Sequence, residues 1–174
     1  MDAAALKALI REIPDFPEPG ISYKDITTLL ADPAGFAACI DQLADPFRGA
    51  SVDFVVGIEA RGFVFSAPVA HALGAGLIPI RKPGKLPADT HSVSYELEYG
   101  EGELEIHTDA HPEGARCLVI DDVLATGGTA LAGRQLMEHT GADIVGFGFL
   151  AELTFLDGRE KLGSDIPIHS LISY

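Results

Sequence analysis

Two adjacent carboxylates, Asp121 and Asp122, stand between an apolar run and a turn of small residues. The run, Leu118–Ile120, consists of residues that suit a strand buried on both faces. The turn, Ala125–Thr129, leads into a helical pattern that continues to about Thr140, so it would present unpaired N–H groups to a phosphate. Two carboxylates beside a phosphate need a neutral or positive partner, such as sugar hydroxyls or a divalent cation. The pattern predicts a sugar-phosphate site, with both carboxylates where the strand leaves the sheet.

A second group of charged residues follows two other predicted strands, Asp53–Ile58 and Gly76–Ile80. The first strand leads through Glu59-Ala60-Arg61-Gly62 into a predicted helix from Phe63 to about Leu73. An arginine there matches phosphate oxygens in a bidentate manner. Three more cations surround the Pro-Gly turn after the second strand: Arg81, Lys82 and Lys85. The cluster favours a pyrophosphate-binding patch over the alternative, a solvated surface loop.

The composition limits the classes of function. A length of 174 residues with 47% hydrophobic residues suits one globular domain. A net charge of −14 argues against nucleic acid as a partner, because backbone binding needs a basic face. No run approaches the ~18 apolar residues of a membrane span, and the start of the chain lacks the basic residues of a secretory signal. We therefore expect a cytoplasmic protein that has no membrane partner, with Cys39 and Cys117 as small apolar residues.

The first third of the chain predicts packing elements around one irregular segment. Asp2 can cap a helix whose apolar face would be Leu6, Leu9, Ile10 and Ile13. Three prolines exclude regular structure from Pro14–Gly20. Ile21–Ile26 is then expected to be a short segment with exposed backbone. Asp32-Pro33 caps a second predicted helix.

The second half adds a hairpin and two further strands. Apolar and polar residues alternate from Thr90 to Thr108 around Gly100-Glu-Gly102, which predicts a β-hairpin that could act as a lid. Asp143–Leu150 is expected to be a core strand whose glycines admit a ligand or a neighbouring backbone. Ile168–Ile172 is expected at the edge of the sheet. Together these elements predict a three-layer α/β fold with a mainly parallel sheet and ligands at the carboxyl ends of the strands.

The segment Val119-Ile-Asp-Asp-Val-Leu-Ala-Thr-Gly-Gly-Thr129 resembles the phosphoribosyl pyrophosphate (PRPP) signature of the type I phosphoribosyltransferases. P-loop and complete Gly-x-Gly-x-x-Gly sequences are absent. The resemblance implies that Asp121 and Asp122 hold the ribose of PRPP. It also implies a phosphate-binding turn formed by Ala125, Thr126, Gly127, Gly128 and Thr129. Glu59-Ala-Arg-Gly-Phe63 resembles the pyrophosphate loop of the same family, which assigns Glu59, Ala60 and a catalytic Arg61 to the leaving group, beside Arg81, Lys82 and Lys85.

The segment Ile13-Pro-Asp-Phe-Pro-Glu-Pro-Gly-Ile-Ser-Tyr-Lys-Asp-Ile-Thr27 resembles one branch of that family, the adenine phosphoribosyltransferases. This resemblance implies that adenine lies between Tyr23 and Leu153, and that the backbone near Ser22 reads the edge of the base. Lys24 counts among the adenine-binding residues, although members commonly have Arg there and Phe in place of Tyr23. Leu97-Glu-Tyr99 matches the flexible hood of the family, so Glu98 would move the purine proton. A solvated hairpin glutamate is the alternative for Glu98.

The resemblance covers nearly the whole chain and implies a reaction of purine salvage. Adenine and PRPP would give AMP and pyrophosphate in a homodimer, with Mg²⁺ bound mainly through PRPP and water rather than by a protein metal site. The chain would form one domain, residues 1–174, with residues 90–108 as the flexible hood. Two rival functions stay open: an enzyme of the same fold acting on a 6-oxopurine or orotate, and a non-catalytic regulator that senses PRPP.

Overall fold

Strands and helices alternate along most of the chain in the computed structural model, which describes residues 1–96 and 101–174. The first half contains α1 (Ala3–Ala8), β1 (Arg11–Pro14), β2 (Ser22–Asp25), α2 (Thr27–Leu30), α3 (Pro33–Ala44), β3 (Phe54–Ile58), α4 (Gly62–Leu73) and β4 (Gly76–Ile80). The second half contains β5 (Thr90–Glu96), β6 (Glu101–His107), β7 (Arg116–Leu124), α5 (Gly128–His139), β8 (Asp143–Glu152), α6 (Gly158–Leu162) and β9 (Ile168–Ser173). The predicted cap at Asp32 is confirmed at the start of α3, since Asp32 accepts a hydrogen bond of 2.7 Å from the N–H of Gly35.

The central sheet contains five strands in the order β4-β3-β7-β8-β9, and each neighbouring pair is parallel. The carboxyl ends of these strands therefore meet at one edge of the sheet. β1 and β2 form a separate antiparallel ribbon, and β5 and β6 form the predicted hairpin. The predictions of a mainly parallel α/β sheet, and of its last strand at the edge, are confirmed.

Alternate residues of the central strands face two apolar layers. Val55 and Ile120 belong to a core cluster that includes residues of α1, α3 and α4. Val56 and Val119 belong to a second cluster that includes residues of α5, α6 and the hairpin. Neighbouring strand positions point to opposite faces, so a strand covered on both faces needs an uninterrupted apolar run. This is the three-layer arrangement that the sequence predicts.

The first predicted helix is too long. α1 ends at Ala8, and Ile13 lies in β1, where it pairs with Tyr23 of β2. Pro14 explains the difference, because a residue before proline favours an extended conformation over a helical one. The segment 21–26, expected to have an exposed backbone, pairs along one edge with β1 over Ser22–Asp25.

β7 is longer than predicted, which changes the position of the two aspartates. The strand extends to Leu124, so Asp121 and Asp122 lie within it rather than beyond its end. Pairing with β3 ends at Ile120, whereas pairing with β8 continues to Leu124. The aspartates therefore occupy a part of β7 that β3 no longer covers, and the loop after β3 contacts them there.

Two glycines of β8 make room for side chains, not for the ligand or backbone that the sequence suggested. A Cβ atom on Gly146 would lie 2.3 Å from the ring of Phe47. A Cβ atom on Gly148 would lie 2.5 Å from Cδ1 of Ile120. These glycines therefore serve the packing of the sheet.

The base of the hairpin is part of the folded core. Glu105 of β6 pairs with Arg81, which follows β4, through backbone hydrogen bonds of 2.9 and 2.7 Å. Leu104 and Ile106 are buried in the cluster that contains α5. Residues 97–100, and with them the predicted Glu98, lie outside the described part of the chain.

Both cysteines are buried and free, as the sequence suggests. Burial raises the pKa of the Cys39 thiol to about 11 and that of the Cys117 thiol to about 12. Neither thiol is therefore activated at neutral pH. Among the described residues, no helix combines the length and the apolar character needed to cross a membrane.

Candidate active site

A cavity of about 530 Å³ opens at the carboxyl edge of the central sheet. Its walls come from the β1–β2 ribbon, the loop after β3, the end of β7 with its following turn, and the end of β8. Most of the predicted site residues line it: Ser22, Tyr23, Lys24, Glu59, Ala60, Arg61, Lys82, Asp121, Asp122, Ala125, Thr129 and Leu153. The fold brings these distant segments together because parallel strands end at the same edge.

Asp121 and Asp122 form a buried acidic pair, with 8% and 5% of their surfaces exposed. Oδ1 of Asp121 accepts a hydrogen bond of 2.9 Å from the backbone N–H of Asp122. Burial, followed by the charge of Asp122, raises the pKa of Asp121 above its ordinary value. Gly62 makes room for this group, since a Cβ atom there would lie 2.8 Å from Oδ1 of Asp121. Asp121 thus holds a proton more readily than an ordinary aspartate.

Arg61 connects the acidic pair to an aromatic wall. Its Nε donates to Oδ2 of Asp122 in a salt bridge, and its Nη1 donates to Oη of Tyr23 over 2.9 Å. The Arg61 side chain is 53% exposed and that of Asp122 is 7% exposed, so the guanidinium reaches from solvent to the buried carboxylate. These two bonds leave part of the guanidinium fork free for an anionic ligand.

The turn between β7 and α5 leads directly into the N-terminus of a helix, where unpaired N–H groups can bind an anion. Gly127 adopts a φ of 80°, and α5 begins at the next residue. A side chain at Gly127 would also meet the backbone oxygen of Gly158 at 2.5 Å, so the turn packs closely against the start of α6. Ala125 and Thr129 line the cavity. The described lining does not include the other three predicted residues of the turn: Thr126, Gly127 and Gly128.

The predicted basic cluster is divided. Lys82 lines the cavity, whereas Arg81 and Lys85 are outside its described lining. Nε of Arg81 lies 3.2 Å from Oε2 of Glu59, which also accepts a hydrogen bond of 2.9 Å from the N–H of Lys82. The bond from Lys82, together with Arg81, lowers the pKa of Glu59. Glu59, whose peptide bond to Ala60 is cis, therefore fixes the cationic segment through its carboxylate.

Tyr23 and Leu153 supply flat and apolar surface to the cavity. The rings of Tyr23 and Phe16 meet edge to face, with centroids 5.2 Å apart. The N–H of Leu153 donates to the backbone oxygen of Leu124 over 2.9 Å. Nζ of Lys24 lies 2.9 Å from Oε2 of Glu12 and 3.1 Å from Oγ of Ser22. The wall formed by Tyr23 is thus supported by Phe16, and the wall formed by Leu153 is supported by the backbone of Leu124.

Three apolar residues of the lining were not predicted: Ile21, Val123 and Ala151. Val123 and Ala151 are paired across β7 and β8, so they enter the site because both strands extend further than the sequence indicated. Ile21 directly precedes Ser22, and that adjacency was a signal that could have identified it.

A second cavity, of about 740 Å³, lies along the segment between β8 and β9. Its buried carboxylate, Glu152, accepts hydrogen bonds from Nε of Arg159 over 2.9 Å and from Oγ of Ser170 over 2.8 Å. These contacts, led by Arg159, lower the pKa of Glu152. No predicted site residue belongs to the described lining of this cavity. We regard Glu152 and Arg159 as a structural ion pair.

Known proteins of similar sequence and structure share one type of domain. The model of the phosphoribosyl transferase domain matches residues 25–165 of the chain. The adenine phosphoribosyltransferase of Acaryochloris marina is 59% identical over 169 residues, which cover 97% of this chain and 99% of that protein. The crystal structure of the adenine phosphoribosyltransferase from Thermoanaerobacter pseudethanolicus is 52% identical, with a TM-score of 0.94 over 99% of each chain. The Saccharomyces cerevisiae enzyme, complexed with D-2,5-dideoxy-2,5-imino-altritol 1,6-bisphosphate and adenine, is 38% identical, with a TM-score of 0.91 over 97% of each chain.

Proposed function

The chain belongs to the phosphoribosyltransferase family, and on that premise we propose which of its residues perform the adenine-specific reaction. It transfers the 5-phosphoribosyl group of PRPP to adenine and releases AMP and pyrophosphate. The assignment depends on one observation, the single cavity that Asp121, Asp122, Tyr23 and Leu153 all line. A sugar phosphate and a planar base held in one cavity are oriented for reaction at ribose C1.

Asp121 and Asp122 hold the hydroxyl groups of the ribose. Breaking the bond from C1 to pyrophosphate leaves positive charge on the sugar, which nearby carboxyl groups stabilise. The two side chains accept hydrogen bonds from the ribose hydroxyls, and Arg61 holds Asp122 in place.

Cationic and backbone donors hold the two phosphate ends of PRPP. The turn of residues 125–129 binds the 5-phosphate through N–H groups at the start of α5. Arg61, Lys82 and the backbone of Glu59-Ala60 bind the leaving pyrophosphate. Arg81 and Lys85 add positive charge to this anion site from outside the cavity. Arg81 also bonds the carboxylate of Glu59, which accepts a hydrogen bond from the N–H of Lys82 and so fixes that residue.

Mg²⁺ accompanies PRPP in this proposal. Within residues 1–96 and 101–174, no group of three or more His, Cys, Asp or Glu side chains is arranged to hold a metal ion. The ion would therefore be held mainly by the phosphate oxygens of PRPP and by water, which is the usual way in which Mg²⁺ binds with phosphorylated substrates. When bound, the ion offsets the negative charge of the leaving pyrophosphate.

Adenine stacks between Tyr23 and Leu153, and the main chain of Ser22 reads its edge. Ser22 pairs with Pro14 across the ribbon. Pro14 has no N–H, so the C=O of Ser22 accepts no hydrogen bond from its partner in this pair and is available to the base. Adenine offers an amino donor at C6 and an acceptor at N1, and hypoxanthine offers the reverse. Main-chain groups cannot exchange these roles, as a rotating hydroxyl could. Lys24 holds the ribbon in place through Glu12.

Competition between adenine, hypoxanthine, guanine and orotate at saturating PRPP tests this assignment. Two mispaired buried groups, at about 1–3 kcal/mol each, predict a preference for adenine over hypoxanthine of ~10²- to ~10⁴-fold in kcat/KM. Ser22→Ala should leave the preference unchanged, because the side chain is not the reader. Equal use of hypoxanthine would contradict both the main-chain readout and the adenine specificity.

We further propose that residues 90–108 form the hood and that Glu98 handles the purine proton. The pairing of Glu105 with Arg81 supports this, because it fixes the base of the hairpin beside the cationic segment. Glu98→Gln preserves size but removes basicity, so kcat should fall about 10²-fold or more. Glu103→Gln, an exposed glutamate on the same hairpin, is the matched control. Full kcat in Glu98→Gln, with chemistry shown to be rate-limiting, would identify Glu98 as a bystander.

The homodimer and the cytoplasmic location also stay predictions. Val64 of α4 and Leu77 of β4 are 38% and 45% exposed apolar residues on neighbouring elements, and they support a self-association surface there. Sedimentation equilibrium should give a dimer that Leu77→Lys dissociates, and a monomeric wild type would contradict the prediction. Recovery of the enzyme in the cytoplasmic fraction of lysed cells would test its location.

A further inference from the structure

Tyr174 holds one wall of the proposed adenine pocket through its backbone, although it does not belong to the described lining. Its N–H donates to the backbone oxygen of Glu152 over 2.9 Å. Its backbone oxygen accepts hydrogen bonds from the N–H of Thr154 over 3.0 Å and from Oγ1 of Thr154 over 2.6 Å. Glu152 and Thr154 flank Leu153, so Tyr174 fixes the backbone on both sides of that wall.

The ring of Tyr174 holds the other wall. Nζ of Lys24 lies 4.5 Å from the ring centroid, and Nζ of Lys7 lies 3.9 Å from it. Lys24 is the neighbour of Tyr23 on β2 and is also bonded to Glu12 across the ribbon. The Tyr174 hydroxyl is buried and has no hydrogen-bond partner among the described residues. The ring face, not the hydroxyl, therefore makes the contact with the ribbon.

We propose that Tyr174 is a positioning residue that sets the separation between Tyr23 and Leu153. Its backbone fixes the Leu153 side, and its ring fixes the Tyr23 side through Lys24. This inference rests on the proposed adenine pocket between those two residues. Loss of the ring would let the ribbon move away from β8 and loosen the stacking on the base. The proposed PRPP contacts of β7 and of the turn before α5 would keep their own supports.

Steady-state kinetics of Tyr174→Ala and Tyr174→Phe test the proposal. The alanine variant should raise the KM for adenine about 5- to 10-fold and leave the KM for PRPP within about twofold. The phenylalanine variant retains the ring and should restore the wild-type KM for adenine. An unchanged KM for adenine in folded Tyr174→Ala, or an equal rise in both KM values, overturns the proposal. If the alanine variant does not fold, Tyr174→Leu, which is apolar but has no ring face, is judged by the same outcomes.

A matched pair at Thr154 tests the backbone contact separately. Thr154→Ser keeps the hydroxyl that donates to Tyr174, whereas Thr154→Val removes it at similar volume. Only the valine variant should raise the KM for adenine, by about threefold, and equal values in the two variants count against the proposal. The wild type in the same assay separates the two levels of inference. A wild type that does not use adenine contradicts the proposed function, whereas normal use of adenine with unchanged Tyr174 variants contradicts only the positioning role.

Discussion

The protein buries carboxylates on two neighbouring strands and surrounds them in opposite ways. Glu152, at the end of β8, accepts hydrogen bonds from Arg159 and Ser170, which lower its pKa. Asp121, on β7, lies against Asp122, and burial together with that neighbour raises its pKa. The two side chains are about equally exposed, at 8% for Asp121 and 7% for Glu152. Burial raises the pKa of Asp121 most, with the charge of Asp122 adding to it, whereas the hydrogen bond from Arg159 outweighs burial at Glu152.

This difference separates a structural carboxylate from one that is prepared for a ligand. Arg159 and Ser170 satisfy Glu152 from within the chain, so the group is complete without substrate. Of the two carboxyl groups on β7, it is that of Asp122 that forms a salt bridge with Arg61. Clustered groups with perturbed pKa values are typical of functional sites, because a ligand completes what the fold leaves unbalanced. The ribose hydroxyls of PRPP would supply that completion.

The largest expected effect comes from neutralising both aspartates. Asp121→Asn with Asp122→Asn should lower kcat/KM at least ~100-fold, a loss of about 3 kcal/mol of transition-state stabilisation. The fold should persist, since Asn keeps the size of each side chain and removes a buried repulsion. Steady-state kinetics and circular dichroism of the double variant check both statements. Unchanged turnover and unchanged PRPP affinity in the folded double variant would remove the ribose-binding assignment.

The opposite result is expected at Glu152. Glu152→Gln keeps the shape but loses the charged hydrogen bonds, so the free energy of unfolding should fall by about 1 kcal/mol. The value is small because the side chain of Arg159 is 45% exposed and water screens the pair. kcat/KM should stay within about threefold of wild type. Urea unfolding and kinetics measure the two effects, and a loss of activity as large as that of the aspartate variant would erase the distinction.

The sequence predicted the order of the main elements and the segments that meet at the site. Uninterrupted apolar runs such as Leu118–Ile120 identify buried strands, and the cap at Asp32 identifies a helix start. The β1–β2 ribbon was missed because Ile13 fits a helical stripe as well as a strand. Only the pairing of β7 with β8 shows how far each strand continues, so Asp121 and Asp122 were expected beyond the strand rather than within it.

The electrostatic difference between the two regions could not be predicted from the sequence. Arg61 and Asp122 are separated by 61 positions, and Glu152 and Ser170 by 18 positions. No local pattern states which arginine meets which carboxylate. The type of the ligand was predictable because the small-residue turn and the two aspartates are contiguous in the sequence. The raised pKa of Asp121 is a property of the packed structure.

The pH dependence of stability should have opposite signs in the two regions. Asp121 has a raised pKa in the folded state, so its carboxylate becomes destabilising as the pH rises from the ordinary value toward the raised one. Asp121→Asn should therefore gain stability over wild type as the pH rises through that window. Glu152 has a lowered pKa, so its contribution is complete above the ordinary value and is lost as the pH falls through the lowered one. The deficit of Glu152→Gln should shrink in acid. Urea unfolding from pH 3 to pH 8 checks both trends, and a common sign would refute them.

The smallest effects are expected from two hydroxyl groups. Ser170 bonds the carboxylate that pairs with Arg159, and Tyr23 bonds Arg61. Ser170 Oγ donates to Glu152, so Ser170→Ala removes one donor from a buried carboxylate. The variant should lower the free energy of unfolding by roughly 0.5–1 kcal/mol, without changing the kinetics.

Tyr23→Phe keeps the ring that stacks on adenine and removes only the acceptor for Nη1 of Arg61. Because Arg61 is 53% exposed, water replaces that bond, and the change in stability should stay below about 0.5 kcal/mol. The less restrained guanidinium should shift the KM for PRPP about two- to threefold. Unfolding and kinetics of the two variants in parallel check these expectations. If Ser170→Ala altered the kinetics and Tyr23→Phe altered only the stability, the structural and ligand-binding roles of the two regions would have to be exchanged.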